Sequence, residues 1–184
     1  TCIAMTGRGR FEIAVKARER RTKMLIDNPD IFMSLLDADL MSFTASCATS
    51  GYVPTVRLNG TSDLDWTRYT IPRTGKNVFE SHKEILFYDY TKSFDRVFLQ
   101  TELNYHLTFS HSEKSSADDL ARLLQLKRNV AMVFAVKRGE PLPTRHKING
   151  KFYRVIDGDI DDLRLPSRDG KGVIVGLRYK LAFD

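Results

Sequence analysis

Cysteine is nearly absent from this chain. Cys2 and Cys47 are the only two in 184 residues, too few for a disulfide framework and in keeping with a reducing compartment. Neither belongs to a C-x-x-C pair, so the chain alone cannot build a structural zinc site. No apolar run reaches the roughly 18 to 20 uncharged residues of a membrane span, and the opening TCIAMTGRGRF lacks the basic-then-apolar layout of a signal peptide. These absences predict a cytoplasmic protein without a membrane partner. The four histidines form no H-E-x-x-H and no paired-histidine nuclease motif, and His106 and His111, five apart, would face opposite sides of a strand. There is no G-x-S-x-G, and no G-x-x-x-x-G-K-[ST] surrounds Lys76, Lys151 or Lys171, which removes standard hydrolase triads and the P-loop.

What is present suffices for one core. A 42% hydrophobic share over 184 residues predicts a single domain spanning 1–184. Because the sequence opens on Thr1 with Cys2 at its edge, it is expected to lack an N-terminal segment. The net charge of +6 favours an anionic ligand or nucleic acid as partner. Residues 11–26, FEIAVKARERRTKMLI, carry helical periodicity with a basic outer face, and PDIFMSLLDADLMSFTASC reads as a second helix opened by proline.

Beyond Gly51 six β-rich runs follow: YVPTVRLNG, EILFYDYTK, NYHLTFSHS, NVAMVFAVK, KFYRVIDGD and GVIVGLRYK. Ser115 to Arg128 is the clearest intervening helix, with Ser115 or Ser116 as cap. Alternating helices and strands, with near-continuous apolar strands such as VAMVFAV, predict an α/β fold: a mainly parallel sheet of about six strands with flanking helices. Lys137 to Lys151 reads as a loop, and the last two strands could pair as a hairpin or lie at an edge.

Polar residues gather at the ends of these strands. Read in phase, Arg57 and Asn59, then Asp89 and Thr91, then His106, Thr108, Ser110 and Ser112, and finally Asp157 and Asp159 point into one space, the usual ligand site of α/β folds. Tyr90, Lys92 and Glu113 adjoin them. Such a set can grip phosphates or a polar substrate, with Arg57 and Lys92 as fixed cations, or a divalent metal through Asp157 and Asp159. Asn-Gly and Asp-Gly are also ordinary turn formers, so each residue has a purely structural explanation. The run DGDIDD fails as a calcium loop, with Asp162 where glycine is required and Arg168 where glutamate belongs. Trp66, after Asp63 and Asp65, is expected to anchor a helix on the sheet. Gly7 and Gly9 with Arg8 and Arg10 lead into the basic helix of Arg18, Arg20 and Arg21, a second surface suited to nucleic acid or a partner protein.

The ordered blocks C-x-x-x-x-G-R-G-R-F, AR-x-x-R-T-K, RLNGTSDLDW, FYDYTKS, NYHLTFSHSE, NVAMVF, VIDGDIDDLR and IVGLRYK resemble the gene product 88 domain family of phages and mobile elements. The resemblance implies a partial β/α barrel of the radical-SAM kind. It implies further cysteines upstream of Cys2, so that Cys2 would be one ligand of an iron-sulfur cluster in the full-length protein. It marks Asn59, Asp63, Asp89, Tyr90, Lys92, Ser110, Ser112, Glu113, Asp157, Asp159 and Arg164 as site positions. Two functions follow as expectations. One is an enzyme acting on a nucleotide or nucleic acid, with Asp89, Lys92, Asp157 and Asp159 as its catalytic groups. The other is a binding protein that engages a host protein or nucleic acid through the basic helix.

Overall fold

The structure is a computed structural model that describes residues 11–179. Two helices open it, α1 (Glu12–Asp27) and α2 (Pro29–Ser50), with Asn28 between them and proline at the first turn of α2. Gly51, at φ 72°, ends α2 in the left-handed conformation that suits glycine. Asp37 and Asp39 interrupt the apolar run of α2, yet an 18-residue window within its 22 residues has a mean hydropathy of 1.3, long and apolar enough to cross a membrane by composition.

All six expected strands form: β1 (Thr55–Val56), β4 (Leu86–Thr91), β5 (Tyr105–Ser110), β6 (Asn129–Phe134), β8 (Lys151–Asp157) and β9 (Ile174–Arg178). A small antiparallel pair, β2 (Thr70–Ile71) and β3 (Lys76–Asn77), stands apart. The seventh strand of the main sheet, β7 (Arg145–Ile148), lies inside the stretch expected to be a loop. It pairs antiparallel with β8 across Asn149-Gly150, both at positive φ. This is the two-residue turn that an Asn-Gly pair favours. The sheet order is β1-β4-β5-β6-β9-β8-β7. The pairs β1/β4, β5/β6, β6/β9 and β8/β9 are parallel. The last two long strands therefore do not form a hairpin: the segment between them crosses over and carries α6 (Pro166–Asp169). Among the described residues β1 and β7 are the ends of the order, and no ladder joins them into a barrel.

The chain divides into two compact units. The first runs through Phe87 and adds Glu102–Tyr105. Its core centres on Phe79 of α3 (Val78–Ser81), stacked on Tyr105 at 3.9 Å between ring centres and edge-on to Phe87 at 5.1 Å. The side-chain amide of Asn104 lies within 3.1 Å of the carbonyls of Phe79, His82 and Ile85 and organises the turn into β4. Trp66 is buried, as an anchor should be, but it stacks on Phe32 of α2 rather than on the sheet.

The second unit comprises Tyr88–Thr101 and, among the described residues, the chain from His106 to Tyr179. It holds α4 (Phe94–Leu99), α5 (Ala117–Gln125) and strands β6 to β9. Ser116 caps α5 by accepting from the Asp119 amide, and Leu120, Leu123 and Leu124 are its buried stripe.

Candidate functional site

Register decides which polar side chains share a face. Phe79 touches both Phe87 and Tyr105, so these two point the same way from β4 and β5. By alternation Asp89 and Thr91 stand with Leu107 and Phe109, while His106, Thr108 and Ser110 point to the opposite face. The single in-phase group expected from the sequence is thus divided by the sheet. The register Phe109↔Val130↔Ile174↔Val155 carries the assignment on, so Asp157 and Arg178 lie on the Asp89 side. Ser110, Ala131, Val175 and Ile156 form one row of the other face.

In the first unit Asn59 is buried and its side chain is spent on its own loop. Its Oδ1 accepts from Ser62 Oγ, the Leu64 amide and Trp66 Nε1, and its Nδ2 donates to the Leu64 carbonyl. Arg57 is half-buried and Asp63 exposed. In the second unit Asp89 is fully buried, Tyr90 half-buried, and Lys92 and Glu113 are exposed. Ser112 is engaged with Ser115 in the turn before α5. Of the basic helix, Arg20 and Arg21 are exposed and Arg18 half-buried. Cys2, Arg8 and Arg10 lie outside the described residues, as does the Gly7-Gly9 reading.

Asp157 and Asp159 are brought together, around a cation that sequence reasoning did not single out. Arg178 grips Asp157 with two 2.8 Å bonds and reaches Asp159 at 3.2 Å, while its backbone amide donates to Asp159 at 2.8 Å. This fork holds the Asp157 carboxyl below the ordinary carboxylate range. Among the described residues no three histidine, cysteine or acidic side chains converge to hold a metal.

A depression of about 190 Å³ opens beside β8. It is lined by Arg154, Ile156, Asp157, Ile160, Asp161, Arg164, Arg168 and Asp169. Arg164 and Asp169 are its buried members, 4% and 9% exposed. The Nη1 of Arg164 donates to Asp169 at 3.3 Å, and its Nη2 donates to the backbone carbonyl and carboxylate of Asp161. Arg168 takes the second oxygen of Asp161 at 2.6 Å. Burial outweighs these cations at Asp169 and pushes its carboxyl up. The Nε of Arg164 is buried without a hydrogen-bond partner.

The neighbouring hairpin completes this surface. In the β7–β8 ladder Arg145 stands directly opposite Arg154, and Lys147 opposite Phe152. Cross-strand partners share a face, so Arg145, Lys147, Phe152 and Arg154 project together, all exposed, on the side of Ile156 and the depression. Lys147 lies 5.8 Å from the Phe152 ring centre, and no acidic group pairs with Arg145 or Arg154 among the described residues.

The gene product 88 family matches residues 1–182. The chain belongs to that family. No curated protein and no solved structure matches it. In this gene product 88 protein, the residues on which the resemblance rested include Asp157, Asp159 and Arg164, which stand in or beside the arginine-lined depression, and Asn59, which builds a loop. Arg145 and Lys147 escaped the sequence reading because their strand was taken for a loop, and Phe152 and Arg154, on the expected strand β8, because they alternate with Asp157 and so were not counted in its phase. The signal that would have exposed the hairpin was the Asn149-Gly150 pair directly before the β-rich run KFYRVID.

Proposed function

We propose that the second unit binds nucleic acid across the outward face of the β7–β8 hairpin, contacting phosphates through Arg145, Arg154 and Lys147 and a base through Phe152. The observation that carries this is the direct opposition of Arg145 and Arg154. Like charges opposite one another in a ladder destabilise it, and here no carboxylate relieves them. A phosphate lying across both would. An exposed aromatic ring set among cations is the usual platform for a base of a single strand. Such a role suits the phage and mobile-element setting that the family resemblance implies.

Binding is favoured over catalysis on this face. The two carboxylates nearest it in sequence, Asp157 and Asp159, are committed to Arg178, and a carboxylate held in a guanidinium fork is a weak base. The test is fluorescence anisotropy of a labelled single-stranded oligonucleotide over a salt series. Arg145→Ala and Arg154→Ala are each expected to weaken binding and to lower the salt slope by about 0.7 per lost phosphate contact, without loss of thermal stability. Unchanged affinity and slope in both variants would reject the face as the interface.

A further inference from the structure

We infer that the depression next to this face is a receptor for a terminal phosphate monoester, so that the protein recognises the phosphorylated end of a nucleic-acid strand. This rests on the nucleic-acid reading above and adds a subsite to it. Size is the first argument. At about 190 Å³ the depression is smaller than the roughly 300 Å³ at which pockets for drug-sized ligands begin, so it has room for a phosphate group but not for a whole nucleotide. A phosphate inside a continuous backbone carries a nucleotide on each side and needs more room than this. A terminal phosphate carries only one.

Charge and hydrogen bonding are the second argument. Arg164 is fixed by Asp161 and Asp169 through its two Nη atoms, and its Nε is buried without a hydrogen-bond partner. Arg168 is steadied by the same Asp161, and Arg154 brings an unpaired guanidinium from the hairpin. The carboxylates here serve to hold arginines: Asp161 binds two of them and Asp157 is taken by Arg178. An extra negative charge on a chain end would meet preset N–H donors, which cost little to order. Arg154 belongs to both surfaces, so a strand whose end enters the depression continues onto the face of Arg145 and Phe152.

The experiment compares one single-stranded oligonucleotide in three forms, with a 5′-phosphate, with a 3′-phosphate and with hydroxyl at both ends, at fixed salt. One phosphorylated form is expected to bind about tenfold more tightly than the unphosphorylated one, the worth of one added charge-assisted contact. Arg168→Ala is expected to erase that difference, whereas Arg145→Ala weakens all three forms alike. Inorganic phosphate, substituted for chloride at constant ionic strength, should remove the preference and leave the remaining binding intact. Equal binding of the three forms by the wild-type protein overturns the end-receptor alone. Absence of binding by any form overturns the nucleic-acid reading and the receptor with it.

Discussion

Removing the carboxylate of Asp37 is expected to be the most damaging single polar change in the first unit. Asp37 lies on α2 with its side chain 6% exposed and joins two other segments. Arg73, in the turn between β2 and β3, donates to it at 2.6 and 2.9 Å, and the Nε2 of His82, 2% exposed, stands 2.8 Å away. Asp37→Ala leaves His82 buried beside a void. Breaking a fully buried pair costs about 3–5 kcal/mol, and since half of the Arg73 side chain is in water, about 3 kcal/mol is the expected loss. For a chain of this length that corresponds to a fall in Tm of roughly 6–12 °C. Asp37→Asn keeps an oxygen for His82 and should cost less. The pH dependence has a definite sign. Arg73 and His82 hold the Asp37 carboxyl below its ordinary 3.8, so its contribution is full above that value and fades as pH falls through the lower folded value. The assay is denaturant unfolding of wild type, Asp37→Ala and Asp37→Asn at pH 7 and at pH 3. A cost for Asp37→Ala below about 0.5 kcal/mol at pH 7, the scatter of ordinary surface changes, would refute the reasoning.

Two other expectations concern the second unit. Burial, with Lys171 and Arg128 nearby, lowers the His106 pKa below 6.5, so the unfolded chain takes up this proton first; stability should decline as pH drops below about 6.5, and His106→Gln should flatten that decline in unfolding midpoints. A Cβ added at Gly158 would lie 2.5 Å from Val175 Cγ1 and 2.9 Å from Leu177 Cδ2, so Gly158→Ala should destabilise by about 1–3 kcal/mol; an unchanged melting curve would show that this part of the sheet gives way freely.

The fold was legible in the sequence to the extent that it is written in periodicity. Apolar runs such as NVAMVF and the leucine stripe of residues 120–124 require burial on both faces or on one, and they become β6 and α5 as expected. The short runs RHKI and TI carry no such imprint, and their pairing depends on partners distant in the chain or on a turn. The site was less legible for a different reason. Alternation tells which residues of one strand share a face, but not how that face aligns with the next strand. Asp89 and Ser110 therefore looked like neighbours until Phe79, touching Phe87 and Tyr105 together, set their strands in phase and put them on opposite sides. Arg178 was hidden in another way. It is recruited by carboxylates, and a sequence shows the acids without showing which base closes on them.

The hairpin has a consequence for how this protein behaves in a crowd. An exposed sheet edge offers unpaired N–H and C=O groups on which a neighbouring molecule can build. Here the two rims are β1, two residues long, and β7, four residues long with Arg145 and Lys147 upon it. Neither length nor charge favours a foreign strand, so the cations that would draw an anionic polymer to one face also discourage copies of the protein from growing into a fibre along that rim.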